Sequence, residues 1–209
     1  MASPSSPLSL PVLPVSSRRR GTLFIVSGPS GVGKGTIVRE LLARESGIAL
    51  SVSVTTRSPR PGEQEGTSYF FKSVAEFQRM VQEGELLEHA QFGRHFYGTP
   101  RAFVESRLRE GQDVILEIEV QGAIQVRERA GRCVTLFVLP PSFEALATRL
   151  QQRNSESPEA VRQRLAIASR ELDYLPFYDY QLVNDDLDVA VAKVQAIIAA
   201  ERCRVLSVN

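Results

Sequence analysis

Short apolar runs alternate along this chain with segments of helical spacing, the pattern of a protein built on a buried parallel sheet. The run TLFIVS at 22–27 is bounded by glycines and predicts a strand buried on both faces. After the glycine-containing segment 28–36, apolar residues recur at Ile37, Leu41 and Leu42 with the spacing of a helix. Strand, glycine loop and helix in this order predict the first unit of a doubly wound α/β fold.

The same pattern returns in the second half of the chain. Apolar runs predict further strands at 113–120, 132–141 and 179–185. Helical spacing and capping residues predict helices at 99–111, at 142–153 with Ser142 as the N-cap, from Pro158 to about Tyr174, and from about Leu187 onward.

The stretch 49–72 interrupts this alternation. It is β-branched at first, then rich in turn formers, then aromatic, which predicts short strands joined by a polar loop. A helix is predicted at 73–84, where Ser73 and Glu76 occupy capping-box positions. Its predicted apolar face carries Val74, Phe77 and Val81. Because strand and helix signals do not alternate regularly here, we expect an inserted small domain rather than another βαβ unit.

Size and charge narrow the class of protein. The 209 residues suffice for one sizeable domain with insertions. The formal net charge of +1, from 25 basic and 24 acidic residues, gives no electrostatic reason to expect a nucleic-acid or membrane partner. No stretch approaches the ~20 apolar residues that cross a bilayer. The oligomeric state is left open.

The cysteines and the N-terminal segment bear on location. Cys133 and Cys203 have no metal-ligand or redox spacing, and the histidines are only His89 and His95, which argues against a zinc site. Prolines interrupt the apolar part of the N-terminal segment, and its arginines follow that part instead of preceding it. We therefore expect residues 1–20 to form a disordered tail on a cytoplasmic protein with reduced thiols.

The segment GPSGVGKGT at 28–36 carries the strongest chemical signal. Successive backbone N–H groups of such a P-loop wrap a phosphate, and the following helix N-terminus adds a favourable dipole. Lys34 is placed to reach the β- and γ-phosphates. The alternative is a glycine-rich turn with an incidental lysine, against which the preceding strand and following helix argue. The predicted ATP-binding residues here are Gly28, Pro29, Ser30, Gly31, Val32, Gly33, Lys34, Gly35 and Thr36.

One position departs from the strict P-loop pattern. A serine or threonine that holds Mg²⁺ normally follows the lysine, but Gly35 follows it here and Thr36 comes one place later. Nucleotide binding is still expected, whereas the way in which the metal is held stays open.

A second constellation lies in TTRSPRPGE at 55–63. Arg57 and Arg60 flank a proline turn among hydroxyl groups, which suits a doubly charged phosphate monoester. Taken alone, such a stretch is more often a solvated loop.

Together these segments resemble the guanylate kinase family. GPSGVGKGT, SVSVTTRSPRPGE, GTSYFF, LLEHAQFGRHFYGTP, ILEIEVQGA and LVNDDL follow one another in the family's order, and the resemblance runs from about Thr22 to Glu201. It implies a P-loop NTPase-type parallel sheet flanked by helices, an inserted mixed α/β GMP-binding domain and a helical lid. The corresponding bounds are 21–52, 100–147 and 171–209 for the core, 53–99 for the GMP-binding domain and 148–170 for the lid.

The resemblance also implies roles at the GMP site. Arg57, Arg60, Tyr69 and Tyr97 match residues that bind the GMP phosphate, and Glu88 matches the carboxylate that accepts hydrogens from guanine N1 and the 2-amino group. Adenine has no hydrogen on N1, so it would leave that carboxylate unpaired. The remaining GMP-site matches are Ser53 and Thr99 near guanine O6, where the family often has serine at the second place, and Glu119.

On the ATP side, the resemblance implies that Arg149, Arg153 and Arg164 close over the phosphates and that Asn184 lies near the adenine. Without it, helix arginines would be taken as surface charge. Catalysis is thus assigned to Lys34, Arg57 and the three lid arginines. The cofactor is Mg²⁺ bound with ATP. We hypothesise that phosphates, water and the strand of Glu117 and Glu119 hold it, with Thr36 and Glu117 as candidate ligands and no side-chain ligand directly after Lys34.

The expected reaction transfers the γ-phosphoryl group of ATP to GMP or dGMP by direct in-line transfer. Two alternatives remain at this point. One is a non-catalytic guanylate-kinase-like module that binds a protein, although such modules typically lack the P-loop lysine and lid arginines present here. The other is a P-loop kinase for another monophosphate or a sugar phosphate, which should lack the context of Glu88 and Thr99.

Overall fold

A computed structural model describes residues 19–153 and 158–205 of the chain. Most of the predicted tail, residues 1–18, lies outside these ranges. The strands are β1 Leu23–Ser27, β2 Ile48–Leu50, β3 Val54–Thr55, β4 Phe70–Phe71, β5 Leu86–Phe92, β6 His95–Pro100, β7 Asp113–Glu117, β8 Val134–Leu139 and β9 Tyr180–Val183. The α-helices are α1 Lys34–Arg44, α2 Val74–Gln82, α3 Arg101–Arg109, α4 Val120–Arg129, α5 Phe143–Arg153, α6 Pro158–Glu171 and α7 Leu187–Arg202, and a 3₁₀ helix spans Leu172–Phe177.

Five strands form a parallel sheet in the order β2-β7-β1-β8-β9. The predicted strand at 22–27 is confirmed, because every residue of β1 is buried and β1 lies at the centre of the sheet. Apolar side chains pack on both faces: one cluster joins β1 to α1, α5 and α7, and the other joins it to α3 and α4. The predicted doubly wound α/β class is therefore confirmed.

The remaining strands form a separate four-stranded sheet in the order β4-β3-β6-β5. Its core contains Val54, Phe77, Met80 and Leu86, so α2 packs on this sheet and not on the parallel one. The capping box of α2 is confirmed, since Ser73 accepts from the backbone of Glu76 and the Glu76 carboxylate accepts from the backbone of Ser73. This region is thus a second sheet with its own helix, as the irregular pattern of 49–72 indicated.

Several details of the predicted elements are wrong. The strand predicted at 113–120 ends at Glu117, and Val120 already belongs to α4. Val74 is 46% exposed, and Met80 takes the buried position on α2 beside Phe77. The helix expected to reach Tyr174 leaves α geometry at Glu171 and continues as the 3₁₀ helix, which accommodates Pro176. Helix α4 was not predicted, because Gly122 lies inside it and glycine weakens a helical pattern.

Two further observations concern cysteines and membranes. Cys133 is half-buried and Cys203 is exposed, and both are free thiols. Within 19–153 and 158–205, no helix has the length and apolar character that crossing a membrane requires.

Candidate active site

The P-loop leaves β1 at the carboxyl edge of the parallel sheet, where ligands bind in open α/β folds. Gly28 has a φ of 135°, and a Cβ there would lie 2.3 Å from the carbonyl oxygen of Val138 on β8. Gly33 has a φ of 96° and caps α1 without a side-chain hydrogen bond, and the first turn of α1 contains no acidic residue. The N–H groups at this helix end can therefore face an anion.

Lys34 is the first residue of α1, directly after the glycine that caps the helix. Its Nζ donates to the carbonyl oxygens of Gly28 at 2.6 Å and Pro29 at 3.1 Å. These bonds hold the ammonium against the backbone of the loop, and Lys34 lines the cavity beside it, where a phosphate can be reached.

A cavity of about 290 Å³ opens on one side of the loop and is lined by Gly31, Gly33, Thr36, Arg149 and Asn184, among others. Arg149 donates to the carbonyl oxygen of Asn184 at 2.8 Å, and Nδ2 of Asn184 donates to that of Val32 at 2.7 Å. The side chains predicted to meet ATP therefore also fix the loop's shape in this structure. A Cβ on Gly33 would lie 2.5 Å from Asn184 Nδ2, so this packing requires glycine.

A second cavity, of about 250 Å³, lies between the loop and the end of β7. Its lining includes Lys34, Gly35, Glu117 and Glu119. A Cβ on Gly35 would approach the two carboxylate oxygens of Glu117 at 3.1 and 3.2 Å. Glu117 thus fills the space where the strict P-loop pattern has a hydroxyl-bearing side chain.

These oxygens fit a magnesium ion held largely by phosphates. Mg²⁺ prefers oxygen ligands and usually takes one or two carboxylates together with substrate phosphates and water. Within the described ranges, no group of three or more His, Cys, Asp or Glu side chains forms a metal cage. Glu117, adjacent to the phosphate loop, is therefore a suitable contributor, and Thr36 lines the neighbouring cavity.

A third cavity, of about 360 Å³, lies between the two sheets. Its lining contains Ser53, Tyr69, Glu88, Tyr97 and Glu119, with Ala90, Phe92 and Gly122 among the others. Glu117, Ile118 and Glu119 belong to both this cavity and the phosphate-loop cavity. The two cavities therefore share a wall.

Glu88 is the buried acid of this third cavity, with 5% of its surface exposed. Thr99 Oγ1 donates to its Oε1 at 2.7 Å. Burial raises the pKa of Glu88, and the bond from Thr99 opposes that rise. A Cβ on Gly122 would lie 2.9 Å from Oε2, so glycine on α4 leaves that oxygen room for a ligand.

Arg57 is held by Glu63, for which the sequence predicted no role. Its two terminal nitrogens donate to Glu63 at 3.0 and 2.8 Å, and its guanidinium lies 5.4 Å from the centre of the Tyr69 ring. These contacts with Glu63, with a smaller contribution from Tyr97, raise the pKa of Arg57. Glu63 is the last residue of the TTRSPRPGE segment, and its negative charge close in sequence to two arginines was the signal that could have predicted this pair.

The other predicted site residues have fewer contacts with one another among the described residues. Arg60 is exposed, but its backbone is fixed: its N–H donates to Glu63 Oε2 at 2.7 Å, and its carbonyl oxygen accepts from the backbone N–H of Glu63 at 3.0 Å. The Tyr69 and Tyr97 rings meet edge to face at 6.2 Å. Arg164 is half-buried on α6. Arg153 ends α5, and its side chain, like residues 154–157, lies outside the described part of the chain.

Comparison with known proteins gives consistent matches. A family model described as guanylate kinase matches residues 20–201. A protein named guanylate kinase from Caldanaerobacter subterraneus subsp. tengcongensis is 49% identical over 191 residues, which are 91% of this chain and 93% of that protein. Another, from Alkalilimnicola ehrlichii, is 51% identical over 185 residues, 88% of this chain and 91% of that protein.

A solved structure agrees with the sequence matches. The crystal structure of guanylate kinase from Anaplasma phagocytophilum is 34% identical, covers 90% of this chain and 89% of its own, and superposes with a TM-score of 0.71. The matches cover the parallel sheet, the second sheet and the cavities between them.

Proposed function

The chain belongs to the guanylate kinase family, and we propose that it transfers the γ-phosphoryl group of ATP directly to GMP or dGMP, giving ADP and GDP. The observation that carries the proposal is the wall shared by two cavities. Glu117, Ile118 and Glu119 separate the phosphate loop from the cavity of Glu88. A phosphate donor on the loop and a nucleoside monophosphate in the second cavity would meet across this wall, as in-line transfer requires.

Guanine is recognised in this proposal by Glu88. The carboxylate accepts the hydrogens of guanine N1 and the 2-amino group, while Thr99 already donates to Oε1 and, with Ser53, lies near guanine O6. AMP would place an unprotonated N1 against a buried carboxylate. Leaving a buried charged group without its hydrogen bonds costs more than ~1–3 kcal/mol, which disfavours adenine.

The GMP phosphate is bound by Arg57, Arg60, Tyr69 and Tyr97. Arg57 is oriented before substrate arrives, because Glu63 engages it with two hydrogen bonds and its guanidinium lies over Tyr69. The exposed side chain of Arg60 is not fixed in advance and would turn toward the phosphate on binding. Glu119 lines the shared wall and, in this proposal, contacts the bound GMP.

ATP binds on the other side of the wall. The backbone of 28–36 and Lys34 hold its phosphates, Asn184 lies near the adenine, and Arg149, Arg153 and Arg164 neutralise charge on the transferred group. Mg²⁺, when bound with ATP, supplies positive charge to the β- and γ-phosphate oxygens. Glu117 would hold the ion directly or through water, and Thr36 is the second candidate side chain, with no side-chain ligand directly after Lys34.

The chemistry needs no strong general base. An ionised phosphate oxygen of GMP is already a nucleophile, so the protein contributes positioning and charge neutralisation. We propose that the GMP-binding domain at 53–99 and the lid at 148–170 close over the core at 21–52, 100–147 and 171–209. Closure excludes water that would otherwise hydrolyse ATP. A cytoplasmic location without nucleic-acid or membrane partners stays a prediction.

A coupled ADP-release assay tests the proposal with ATP and, in parallel, GMP, dGMP, AMP, UMP and ribose phosphates. Turnover of GMP and dGMP is expected. Activity only on AMP or sugar phosphates would overturn the substrate assignment, and no activity on any of them would favour a protein-binding module.

Two variants test the roles of the basic residues. Lys34→Ala, and Arg57→Ala combined with Arg60→Ala, should each lower kcat/KM by at least about 10²-fold, because each removes charge from a transferring or accepting phosphate. Circular dichroism and the melting temperature should show that both variants are folded. Near-normal turnover in either folded variant would refute the assigned mechanism.

A further inference from the structure

Strand β5 contributes to both halves of the molecule. Leu86, at its start, packs in the core of the second sheet, whereas Leu87 packs in the apolar cluster that joins β1 to α3 and α4. The next residue, Glu88, lines the cavity between the two sheets. Three successive buried residues of one strand therefore belong to three different parts of the protein.

A β-bulge lies at Leu87 and Glu88. These two residues of β5 together oppose a single residue of β6, Thr99, because the register shifts between Leu86 and His89. Thr99 Oγ1 donates to one oxygen of the Glu88 carboxylate at 2.7 Å. A bulge interrupts the regular ladder of hydrogen bonds and changes the direction of a side chain. The direction of the Glu88 carboxylate therefore depends on what holds β5 just beyond the bulge.

Gln125 of α4 holds β5 immediately after the bulge. The backbone N–H of His89 donates to Gln125 Oε1 at 3.2 Å, and Gln125 Nε2 donates to the carbonyl oxygen of His89 at 3.0 Å. β5 is an edge strand of the second sheet. The amide of Gln125 therefore gives His89 the acceptor and the donor that a neighbouring strand would supply.

The same face of α4 also borders the carboxylate of Glu88. Gly122 lies three residues before Gln125, the spacing that places two residues on one face of a helix. A Cβ on Gly122 would lie 2.9 Å from Glu88 Oε2, so this glycine leaves room beside that oxygen. Ala123 and Val126 pack α4 into the apolar cluster of the parallel sheet, which gives Gln125 a fixed base in the core.

We propose that Gln125 is a positioning residue for Glu88. Its hydrogen bonds fix the backbone of β5 one residue beyond the acid, so that Thr99 holds Oε1 and Oε2 is left for guanine. Gln125 acts on GMP through Glu88 and not by contact with the nucleotide. The inference rests on the proposed function in one respect, that Glu88 accepts hydrogens from guanine.

A double-mutant cycle on Gln125 and Glu88 tests this directly. The coupled ADP-release assay gives kcat/KM for GMP in the wild type, Gln125→Met, Glu88→Gln and the double variant. Methionine keeps an unbranched side chain with good helix propensity but cannot make the two hydrogen bonds. In the wild-type background, Gln125→Met should lower kcat/KM by about tenfold through a higher KM for GMP, because the acid loses its support. In the Glu88→Gln background it should change kcat/KM by less than about twofold, because the charge that Gln125 positions is already gone.

Two outcomes of the cycle would overturn the proposal while the proposed function stands. One is a Gln125→Met variant that turns over GMP as the wild type does, although Glu88→Gln does not. The other is an equal loss in both backgrounds, which would mean that Gln125 affects turnover by a route other than Glu88. Failure of the proposed function would appear instead as a wild type that does not turn over GMP, or as a fully active Glu88→Gln variant. Either of these results would remove the present inference with it.

Controls separate positioning from a general loss of stability. KM for ATP should be unchanged in Gln125→Met, and a parallel rise in both KM values would contradict a role confined to Glu88. The matched control is Gln195→Ala, which removes a half-buried glutamine of α7 that donates to Glu45 at 3.0 Å and should leave kcat/KM for GMP unchanged. If Gln125→Met is not folded at the assay temperature, Gln125→Asn, with the same amide on a shorter side chain, enters the same cycle. A loss that does not depend on Glu88 would again refute the proposal.

Amide hydrogen exchange tests the link between Gln125 and the strand itself. The amide hydrogen of His89 is bonded to Gln125 Oε1, so Gln125→Met should speed its exchange by about tenfold in the protein without nucleotide. The amide of Phe77, bonded to the carbonyl oxygen of Ser73 on α2, should exchange as in the wild type. Both rates are measured by NMR. Unchanged exchange at His89 would mean that Gln125 does not hold β5, and the proposal would be wrong.

Discussion

Replacing the buried carboxylate of Glu88 by an amide (Glu88→Gln) separates guanine recognition from stability. The substitution keeps the shape of the side chain, and the bond from Thr99 can still be accepted by the amide oxygen. It removes the negative charge that is proposed to face guanine N1 and the 2-amino group, and it turns one acceptor into a donor. A hydrogen bond to a charged group contributes roughly 1.5–3 kcal/mol.

The expected loss follows from that magnitude. At 1.4 kcal/mol for each factor of ten, kcat/KM for GMP should fall by about 10- to 150-fold. The effect on KM for ATP should be small, because Glu88 lies in the cavity on the far side of the shared wall. Discrimination between GMP and AMP should weaken, since the buried acceptor that rejects adenine is gone. The coupled ADP-release assay with both nucleotides measures all three quantities.

Stability should change in the opposite direction. Burial raises the pKa of Glu88 above its value in the unfolded chain, so its contribution to stability is present at low pH and is lost as the pH rises through the folded-state pKa. Without nucleotide, Glu88→Gln should therefore melt at the same or a higher temperature than the wild type above that pKa. The difference should shrink as the pH is lowered.

The matched control is Glu128→Gln, which removes an exposed carboxylate from α4. It should alter neither GMP turnover nor the pH dependence of melting. If Glu88→Gln keeps kcat/KM for GMP within about threefold of the wild type, a change of less than 1 kcal/mol, the assignment of Glu88 to guanine is refuted. A large loss accompanied by a lower melting temperature at neutral pH would refute the argument from burial.

Two further variants test the neighbouring sites. Glu63→Gln should raise KM for GMP by about tenfold and leave KM for ATP unchanged, because the charge-assisted hydrogen bonds that orient Arg57 are lost. Steady-state kinetics with each substrate varied in turn measure both constants. An unchanged KM for GMP would mean that Arg57 does not need Glu63 to hold it. Gly35→Ser places a Cβ 3.1 Å from a Glu117 oxygen and should shift the Mg²⁺ concentration for half-maximal activity. An unchanged Mg²⁺ titration, with Thr36 ligating the metal in a bound structure, would refute the hypothesis that Glu117 and the phosphates hold it.

Local signals in the sequence were sufficient for the elements that they describe. The capping box at Ser73 and Glu76 and the N-cap at Ser142, which accepts from the backbone of Ala145 at 3.1 Å, depend on residues three positions apart. Such interactions form wherever the segment folds as a helix. The same local reasoning placed Val74 on the buried face of α2, and that prediction is wrong. Helical spacing defines a face, but the partner sheet decides which edge of that face is covered, and here it covers Met80.

The candidate site divides in a similar way. The order of the motifs predicted the family, the phosphate loop and a buried acid at Glu88. The support given to Arg57 was missed, although Glu63 stands in the same motif. The sequence alone does not select which basic side chain a loop glutamate contacts, because that choice depends on the conformation of the folded loop.

By itself, the sequence determined the strand, loop and helix that are proposed to bind phosphate, and through the order of its motifs the family to which the protein belongs. The tertiary structure decided how the site is assembled. Val26 on β1 pairs in parallel register with Glu117 on β7, which brings residues from distant parts of the chain to one edge of the sheet. That pairing places the Glu117 carboxylate beside Gly35 and in the wall that the two cavities share. The physical reason is that parallel strands place their carboxyl ends at the same edge of the sheet, whatever the length of chain between them. The separation of two residues along the sequence therefore does not indicate their distance in the folded protein.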